Sequence, residues 1–265
     1  MVARTVDSAS RVLQEGKGDN IIFREKVLKD PAPVPDKIPL KTVPFKSRKD
    51  LHLLRKLFHA LAGIAMAFVY EYILSREQTL IIFGGIFAFL LVGEILRFNF
   101  PNSPITRFTL WLLQLLARTY EMKHMTGMIY FVTGVLICVG LLPKKVAVLS
   151  ILFLAIGDPC ASTCGIQLGY LGPKFRNGKS LMGFVGGFLS CAITTYVYFF
   201  QETGPSTSLF AVSLLGGFAG GVTELLCGRV VEGTGGPIDI DDNLAVPVGS
   251  GFLFYAGLQY FPSFI

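Results

Sequence analysis

Apolar residues gather into seven long runs, at about 57–74, 78–96, 128–142, 146–165, 181–200, 208–228 and 244–261. As helices, runs of roughly 20 residues are long enough to cross about 30 Å of hydrocarbon. A further stretch, ITRFTLWLLQLLART at 105–119, is too short to span comfortably. Arg107 and Arg118 flank it and Trp111 sits inside, which suits a helix lying at the membrane interface. The expected fold is therefore all-α: a polytopic transmembrane helix bundle of about seven spans plus an interfacial helix. Glycine-rich stretches at 183–187 and 216–221 would let its helices approach closely.

Residues 1–45 differ from the rest. They carry scattered charges and the proline cluster DPAPVPDKIP with no sustained apolar period, so a disordered or loosely attached cytosolic tail is expected there. Residues 46–265 form the expected membrane-embedded domain. The tail lacks the early apolar core of a cleavable signal peptide, and the first span reads as a signal-anchor. Lys46, Arg48, Lys49, Arg55 and Lys56 crowd before that span and place the N-terminal side in the cytosol. If 105–119 does not cross, the loops 97–127, 166–180 and 229–243 share the cytosolic side. The loop 201–207 has no Lys or Arg and falls outside, whereas Lys144 and Lys145 run against this count.

Composition agrees with the pattern. Hydrophobic residues make up 52% of the chain and charged residues 16%, with a mean hydropathy of +0.57, outside the balance of a soluble domain. The net charge of +6 resides mostly in basic flanks, which argues for membrane orientation and against a nucleic-acid partner. The five cysteines lie in or beside apolar runs and read as small hydrophobes. Cys160 and Cys164 share a helix face, but no His or second thiol pair accompanies them to complete a metal site.

Polar chemistry concentrates in two loops. The first is GDPCASTCGIQLGYLGPKFRNGKSLMG at 157–183. Asp158 stands where an apolar run turns polar, and an ionisable residue at such depth is a functional candidate by default. Gly165, Gly169 and Gly172 permit close backbone approach, and Lys174, Arg176 and Lys179 supply charge suited to phosphate. A helix-capping Asp followed by a positive-inside loop fits the same residues. The string GPKFRNGKS is not a P-loop: five residues separate Gly172 from Gly178 where that motif needs four, and no strand precedes it. Gly178-Lys179-Ser180 reads better as a helix entry, with Ser180 capping and Lys179 placed to hold a phosphate at the positive helix end.

The second loop is IDIDDNLAVPVGSG at 238–251, with Asp239, Asp241, Asp242 and Asn243 ahead of the last span. Hard oxygen ligands at this density suit Mg²⁺, which takes one or two carboxylates together with substrate phosphates. An acidic helix N-terminus without metal is the plainer reading. Pairing this loop with the basic loop at 172–180 favours the metal. Between them, Glu224 lies inside an apolar run and must find a partner in the bundle. Glu94 and Arg97 can pair on one helix face, and Glu121, Lys123, His124 and Thr126 form a polar group before the third span. An imidazole, His59, enters the first span on the same face as Arg55.

These segments occur together in one known order. RKLFH, EILRFNFP, EMKHMTGMIYFVTG, GDPCASTCGIQLGYLGPKFRNGKSLMG, TELL and IDIDDNLAVPV make the chain from Arg55 onward resemble the CTP-dependent lipid kinases: diacylglycerol kinases of the fungal endoplasmic-reticulum type, dolichol kinases and phytol kinases. Gly157 before Asp158 fits the family pattern, while Pro159-Cys160 replaces the small residues usual there. The resemblance implies transfer of the terminal phosphoryl group of CTP to a membrane lipid alcohol by an enzyme of the endoplasmic reticulum whose site faces the cytosol. It implies that Asp158, Asp241 and Asp242 hold Mg²⁺ or another divalent cation and the nucleotide, one of them accepting the alcohol proton. Lys174 and Lys179 would hold phosphates, with Arg55, Lys56, His59, Gly165, Gly169 and Ser180 completing the nucleotide site. Glu121, Thr126, Glu224 and Asn243 would support it. Diacylglycerol is the preferred acceptor on chain length and the polar tail, with dolichol, phytol and other prenols as competitors. A cytidylyltransferase making CDP-diacylglycerol would use the same nucleotide, but its Lys-Asp and His-Gly-Gly run is not found. A transporter would need no opposed acidic and basic loops. The oligomeric state is not legible.

Overall fold

The computed structural model describes residues 48–100, 104, 125–175, 177–230 and 238–265. The proposed tail at 1–45, the interfacial helix at 105–119 and Glu121 lie outside the described residues. Every one of the seven apolar runs is helical. In chain order the helices are α1 (Arg48–Tyr72), α2 (Arg76–Asn99), α3 (Gly127–Leu141), α4 (Lys144–Leu152), α5 (Asp158–Gln167), α6 (Leu181–Thr203), α7 (Thr207–Leu226) and α8 (Asp242–Leu258), the run 146–165 being shared by α4 and α5. Helices α4 and α5 are one continuous rod, joined by a π-helical turn at Phe153–Gly157. Four described helices are long and apolar enough to cross a membrane: α2, the rod Lys144–Gln167, α6 and α7.

The all-α expectation holds with one small addition. Gly228–Val230 (β1) and Ile238–Ile240 (β2) pair as a three-residue antiparallel ribbon, Arg229 opposite Asp239, between α7 and α8. Runs this short, broken by glycine and charge, carry no legible strand period.

Local sequence explains where the helices begin. Ser75 caps α2 in a reciprocal box with Gln78. Ser180 caps α6 by accepting from the Gly183 N–H at 3.1 Å, as the sequence led one to expect, and Ser206 does the same for α7. The π turn has a cause in Pro159. Proline donates no backbone hydrogen bond, and its ring crowds the carbonyl four residues back. A wider turn ahead of it eases that crowding and resets the direction in which Asp158 projects.

The core runs along the inside of the bundle, where Tyr70, Phe153, Phe199 and Phe254 are fully buried and the Phe153 and Phe254 rings meet edge to face at 5.7 Å. Lipid offers no hydrophobic drive between helices, so close packing of small residues must hold them. Helix α7 shows this: a Cβ on Gly217 would lie 2.7 Å from the Phe188 carbonyl oxygen of α6. Lys144 and Lys145, which oppose the orientation count, are tied to helix ends. Lys144 donates to the Glu71 carbonyl at 2.8 Å, and Lys145 pairs with Glu202 at 2.7 Å. They anchor one end of the bundle.

Candidate active site

The polar groups of the other bundle end converge on the start of α5. Asp158 opens that helix directly after the π turn. From α1, the Lys56 ammonium reaches both Asp158 carboxylate oxygens, at 3.3 and 3.4 Å, and also donates to the Ser162 hydroxyl. Ser162, one helical turn beyond Asp158, donates to the same carboxylate at 3.3 Å. An acid, a cation and a hydroxyl are thus linked across two helices at a mostly buried position. Ser162 was absent from the sequence candidates, although its i, i+4 spacing from Asp158 was available there.

Lys179 forms the second arm. The segment 173–181 is a tight turn: Lys174 and Ser180 bridge, Phe175 N–H donates to the Lys179 carbonyl at 2.8 Å, and Gly178 adopts φ +82°. That left-handed conformation suits glycine alone without strain. Asn177 pins the turn, its side-chain amide donating at 2.6 Å to the Leu225 carbonyl, one of the unpaired acceptors at the end of α7. So held, Lys179 meets Glu224 at 2.5 Å. The buried acid that the sequence required to find a partner has found this one. Asn177 was also not among the candidates; its Asn-Gly pair is the signal that was present.

Electrostatics joins the two arms. Burial opposes the Lys179 charge, but Glu224, then Asp242 and Asp158, outweigh it and hold the ammonium above its ordinary pKa of 10.5. A raised folded-state pKa means that the charged lysine favours folding below about pH 10.5, and that this contribution is lost as pH climbs higher. Lys179 therefore stays cationic throughout the neutral range. Cys227, just past α7, has its thiol pushed up to about 12 by burial, with Lys179, Asp242, Glu224 and Asp158 all acting on it. Such a thiol behaves as a small hydrophobe, as read from sequence.

The remaining candidates divide. Asp242 occupies the first turn of α8 and lies within the field of Lys179. Asp241 is the cap of α8, one carboxylate oxygen accepting from the Asn243 N–H and side-chain amide, both at 2.9 Å. Asn243 is buried beneath it. Gly165 and Gly169 lie against Ser180: a Cβ on either would stand 3.1 or 3.4 Å from its hydroxyl, so these glycines seat the α6 cap. Lys174 is exposed beside the turn. His59 is half-buried with its ring edge-on to Phe131 at 5.6 Å, and Thr126 is buried at the start of α3. The Arg55 side chain lies outside the described residues. Glu94 and Arg97 form a buried ion pair on α2, the structural role expected of them.

The three proposed metal-binding aspartates are not gathered into one cage. Among the described residues no group of three or more His, Cys, Asp or Glu could enclose a metal ion. Mg²⁺ does not require such a cage, because substrate phosphates and water fill most of its octahedron. Asp158 and Asp242 are hard oxygen donors whose charges both act on Lys179, and their chemistry is of the kind a hard divalent cation takes.

Comparison with known proteins finds relatives of the chain. A protein of Schizosaccharomyces pombe named CTP-dependent diacylglycerol kinase 1 is 35% identical over 172 residues, covering 62% of this chain and 73% of that one. Its namesake in Saccharomyces cerevisiae is 26% identical over 228 residues, covering 78% and 73%. That of Eremothecium gossypii is 29% identical over 230 residues, covering 78% and 67%. No family model and no solved structure matches.

Proposed function

Because the chain belongs to the CTP-dependent diacylglycerol kinase family, we propose that it transfers the terminal phosphoryl group of CTP to diacylglycerol at the cluster around Asp158 and Lys179. The products are phosphatidic acid and CDP. The observation that supports the siting is the linked set Lys56, Asp158 and Ser162 together with the Lys179–Glu224 pair, on whose ammonium Asp158 and Asp242 both act.

Phosphoryl transfer asks for position and charge neutralisation more than for covalent chemistry. The diacylglycerol hydroxyl oxygen attacks the terminal phosphorus in line, a new P–O bond forms, and the bond to the CDP oxygen breaks. Asp158 accepts the hydroxyl proton through one carboxylate oxygen. Ser162 and Lys56 fix the direction of that carboxylate. Lys179 faces the phosphate oxygens: an ammonium has three donors, and Glu224 takes one of them. Exposed Lys174 meets the incoming nucleotide first. Asp242, with Asp158, would hold Mg²⁺, which adds positive charge against the phosphates when bound. Glu224 keeps Lys179 charged and aimed. Asp241 and Asn243 set the start of α8 so that Asp242 is presented.

CTP should support at least about tenfold higher kcat/KM than ATP with the purified protein at matched Mg²⁺, a difference of about 1.4 kcal/mol. A panel of dioleoylglycerol, dolichol and phytol reads out the acceptor in the same assay. Equal turnover with ATP, or a prenol preferred to diacylglycerol, contradicts this reading.

The cluster opens to the cytosolic side of the endoplasmic-reticulum membrane, where CTP is available and where the basic residues before α1 are retained. In sealed vesicles, single cysteines at Lys174 and Asp239 in a cysteine-free chain should react with an impermeant reagent from the cytosolic face, and one at Thr207 from the opposite face. Labelling of 174 and 239 from different faces would separate the two loops and dismantle the site.

A further inference from the structure

Between α1 and α6 lies a groove of about 760 Å³. Leu152 and Ile156 of the rod floor it, Glu71 and Tyr72 at the end of α1 form one wall, and α6 from Ser190 to Glu202 forms the other. Volumes of about 300 to 1,000 Å³ are typical of sites that hold a small organic ligand. The groove is a separate place from the cluster around Asp158. Its polar end adjoins Lys145, about 20 Å along the rod from Asp158 at 1.5 Å per residue. Ile156 lies on its floor, and Asp158, two residues on, projects to the other side of the rod.

Only one end of the groove is strongly polar. Glu71, Tyr198, Gln201 and Glu202 line it, and Tyr72 beside them is exposed. Lys144 donates to the Glu71 carbonyl at 2.8 Å, and Lys145 pairs with Glu202 at 2.7 Å. Tyrosine and lysine together mark a membrane–water interface. From Glu202 back to Ser190 helix α6 runs about 18 Å, close to the roughly 15 Å depth of one hydrocarbon leaflet. Along that length Ile156, Ile193 and Val197 give apolar surface, and the last two, at 62% and 64% exposure, open the groove sideways to lipid. The two hydroxyls on this stretch are satisfied within α6: Ser190 donates to the Gly187 carbonyl at 3.0 Å and Thr194 to that of Ser190 at 2.8 Å.

The polar end, by contrast, has groups left over. Among the described residues the Glu71 side chain has no ion pair, and its Oε2 and the Tyr198 hydroxyl are buried without a hydrogen-bond partner. The two groups are near enough to act on each other but do not meet in bonding geometry. Even a phenol turned onto Glu71 would fill one of about four acceptor positions of that carboxylate. A shielded carboxylate without a donor costs free energy, and a cationic N–H donor removes that cost best. The two acids thus call for a cation that carries N–H groups. The two lysines that touch Glu71 and Glu202 call for an anion beside it, since Lys145 keeps two donors after Glu202 has taken one. A head group of phosphate and primary ammonium answers both. A choline head does not, because its quaternary nitrogen has no N–H.

We infer that the groove between α1 and α6 is a lipid-binding site of its own, which takes a phosphatidylethanolamine. The ammonium docks against Glu71 and Glu202, the phosphate turns to Lys144 and Lys145, and an acyl chain lies along Ile193 and Val197. The site is independent of the reaction proposed above. Selectivity comes from the head, because any long chain gains similar apolar contact along the groove.

The test titrates the purified full chain in detergent with dioleoyl-phosphatidylethanolamine and counts retained lipid by native mass spectrometry. Dioleoyl-phosphatidylcholine and dioleoyl-phosphatidic acid should bind at least about tenfold more weakly, the scale of one charge-assisted hydrogen bond. Sphingosine, which has the ammonium without the phosphate, should be a weaker competitor than the ethanolamine lipid. Glu71→Gln keeps the shape and removes the charge, and should lose the preference for ethanolamine over choline. Val197→Trp fills the apolar stretch from a lipid-exposed position and should lose most of the bound lipid. Leu189→Trp, exposed on the same helix but not lining the groove, should retain it. The unmodified chain gives an independent reading with mono- and dimethylated phosphatidylethanolamine, which lose N–H donors one at a time: affinity should fall at each step. A flat methylation series, equal retention of ethanolamine and choline lipids, an unchanged preference in folded Glu71→Gln, or sphingosine competing as well as the phospholipid each overturns the assignment.

Discussion

Asp158→Asn should lower kcat by about 10²–10³-fold, the scale of removing one well-placed electrostatic group from a reaction centre. The exchange preserves shape. The amide oxygen can still accept from Lys56 and Ser162, so the helix start and the α1–α5 contact should survive. What disappears is the negative charge, and with it the proton acceptor and a hard oxygen ligand. The variant should elute and unfold like wild type in detergent. Its rate loss should not be recovered by raising CTP, because the defect lies in the chemical step. Wild-type turnover in a well-folded Asp158→Asn protein would remove this residue from the site.

Lys179 and Glu224 allow stability and chemistry to be separated. Lys179→Ala leaves the nearly buried Glu224 carboxylate without its cation, and breaking a buried pair in this way costs about 3–5 kcal/mol. A marked fall in melting temperature is expected, together with loss of activity. The double variant Lys179→Met, Glu224→Gln removes both charges. Replacing a buried pair by groups of similar size is often neutral for stability, so most of the melting temperature should return. Activity should not return, because no cation then faces the phosphates. An active double variant would make the pair purely structural. A double variant as unstable as Lys179→Ala would mean that the charge left behind is not what destabilises the single change.

Much of this architecture was legible because a bilayer imposes length. Seven apolar runs gave seven helical positions, with bounds within three residues of those observed except at the start of α1, which begins nine residues earlier at Arg48, and the capping role of Ser180 followed from its place before α6. What escaped was set by contacts between segments distant in sequence. Lys56 stood among several basic residues ahead of the first span, and only the packing of α1 against the α4–α5 rod selects it as the partner of Asp158. Glu224 announced that it needed a partner but could not name Lys179, which a tight turn pinned by Asn177 delivers. Gly165 and Gly169 suggested room for a ligand, yet the nearest neighbour of that room is the Ser180 hydroxyl. Asp241 and Asp242 are adjacent and chemically identical, and only the geometry of the cap distinguishes the residue that starts α8 from the one presented by it. The π turn had a cause in sequence, Pro159, but proline accounts equally for a kink or a helix end.

The central claim is that this chain moves a phosphoryl group, and not a cytidylyl group, from CTP to diacylglycerol. The most direct measurement incubates the purified, reconstituted protein with dioleoylglycerol and CTP labelled either at the terminal or at the innermost phosphate, and follows label into lipid. The account predicts that terminal label appears in phosphatidic acid in step with CDP release, while innermost label stays entirely in the water-soluble nucleotide. Innermost label in the lipid fraction, or no lipid label from either position with folded protein, would contradict it.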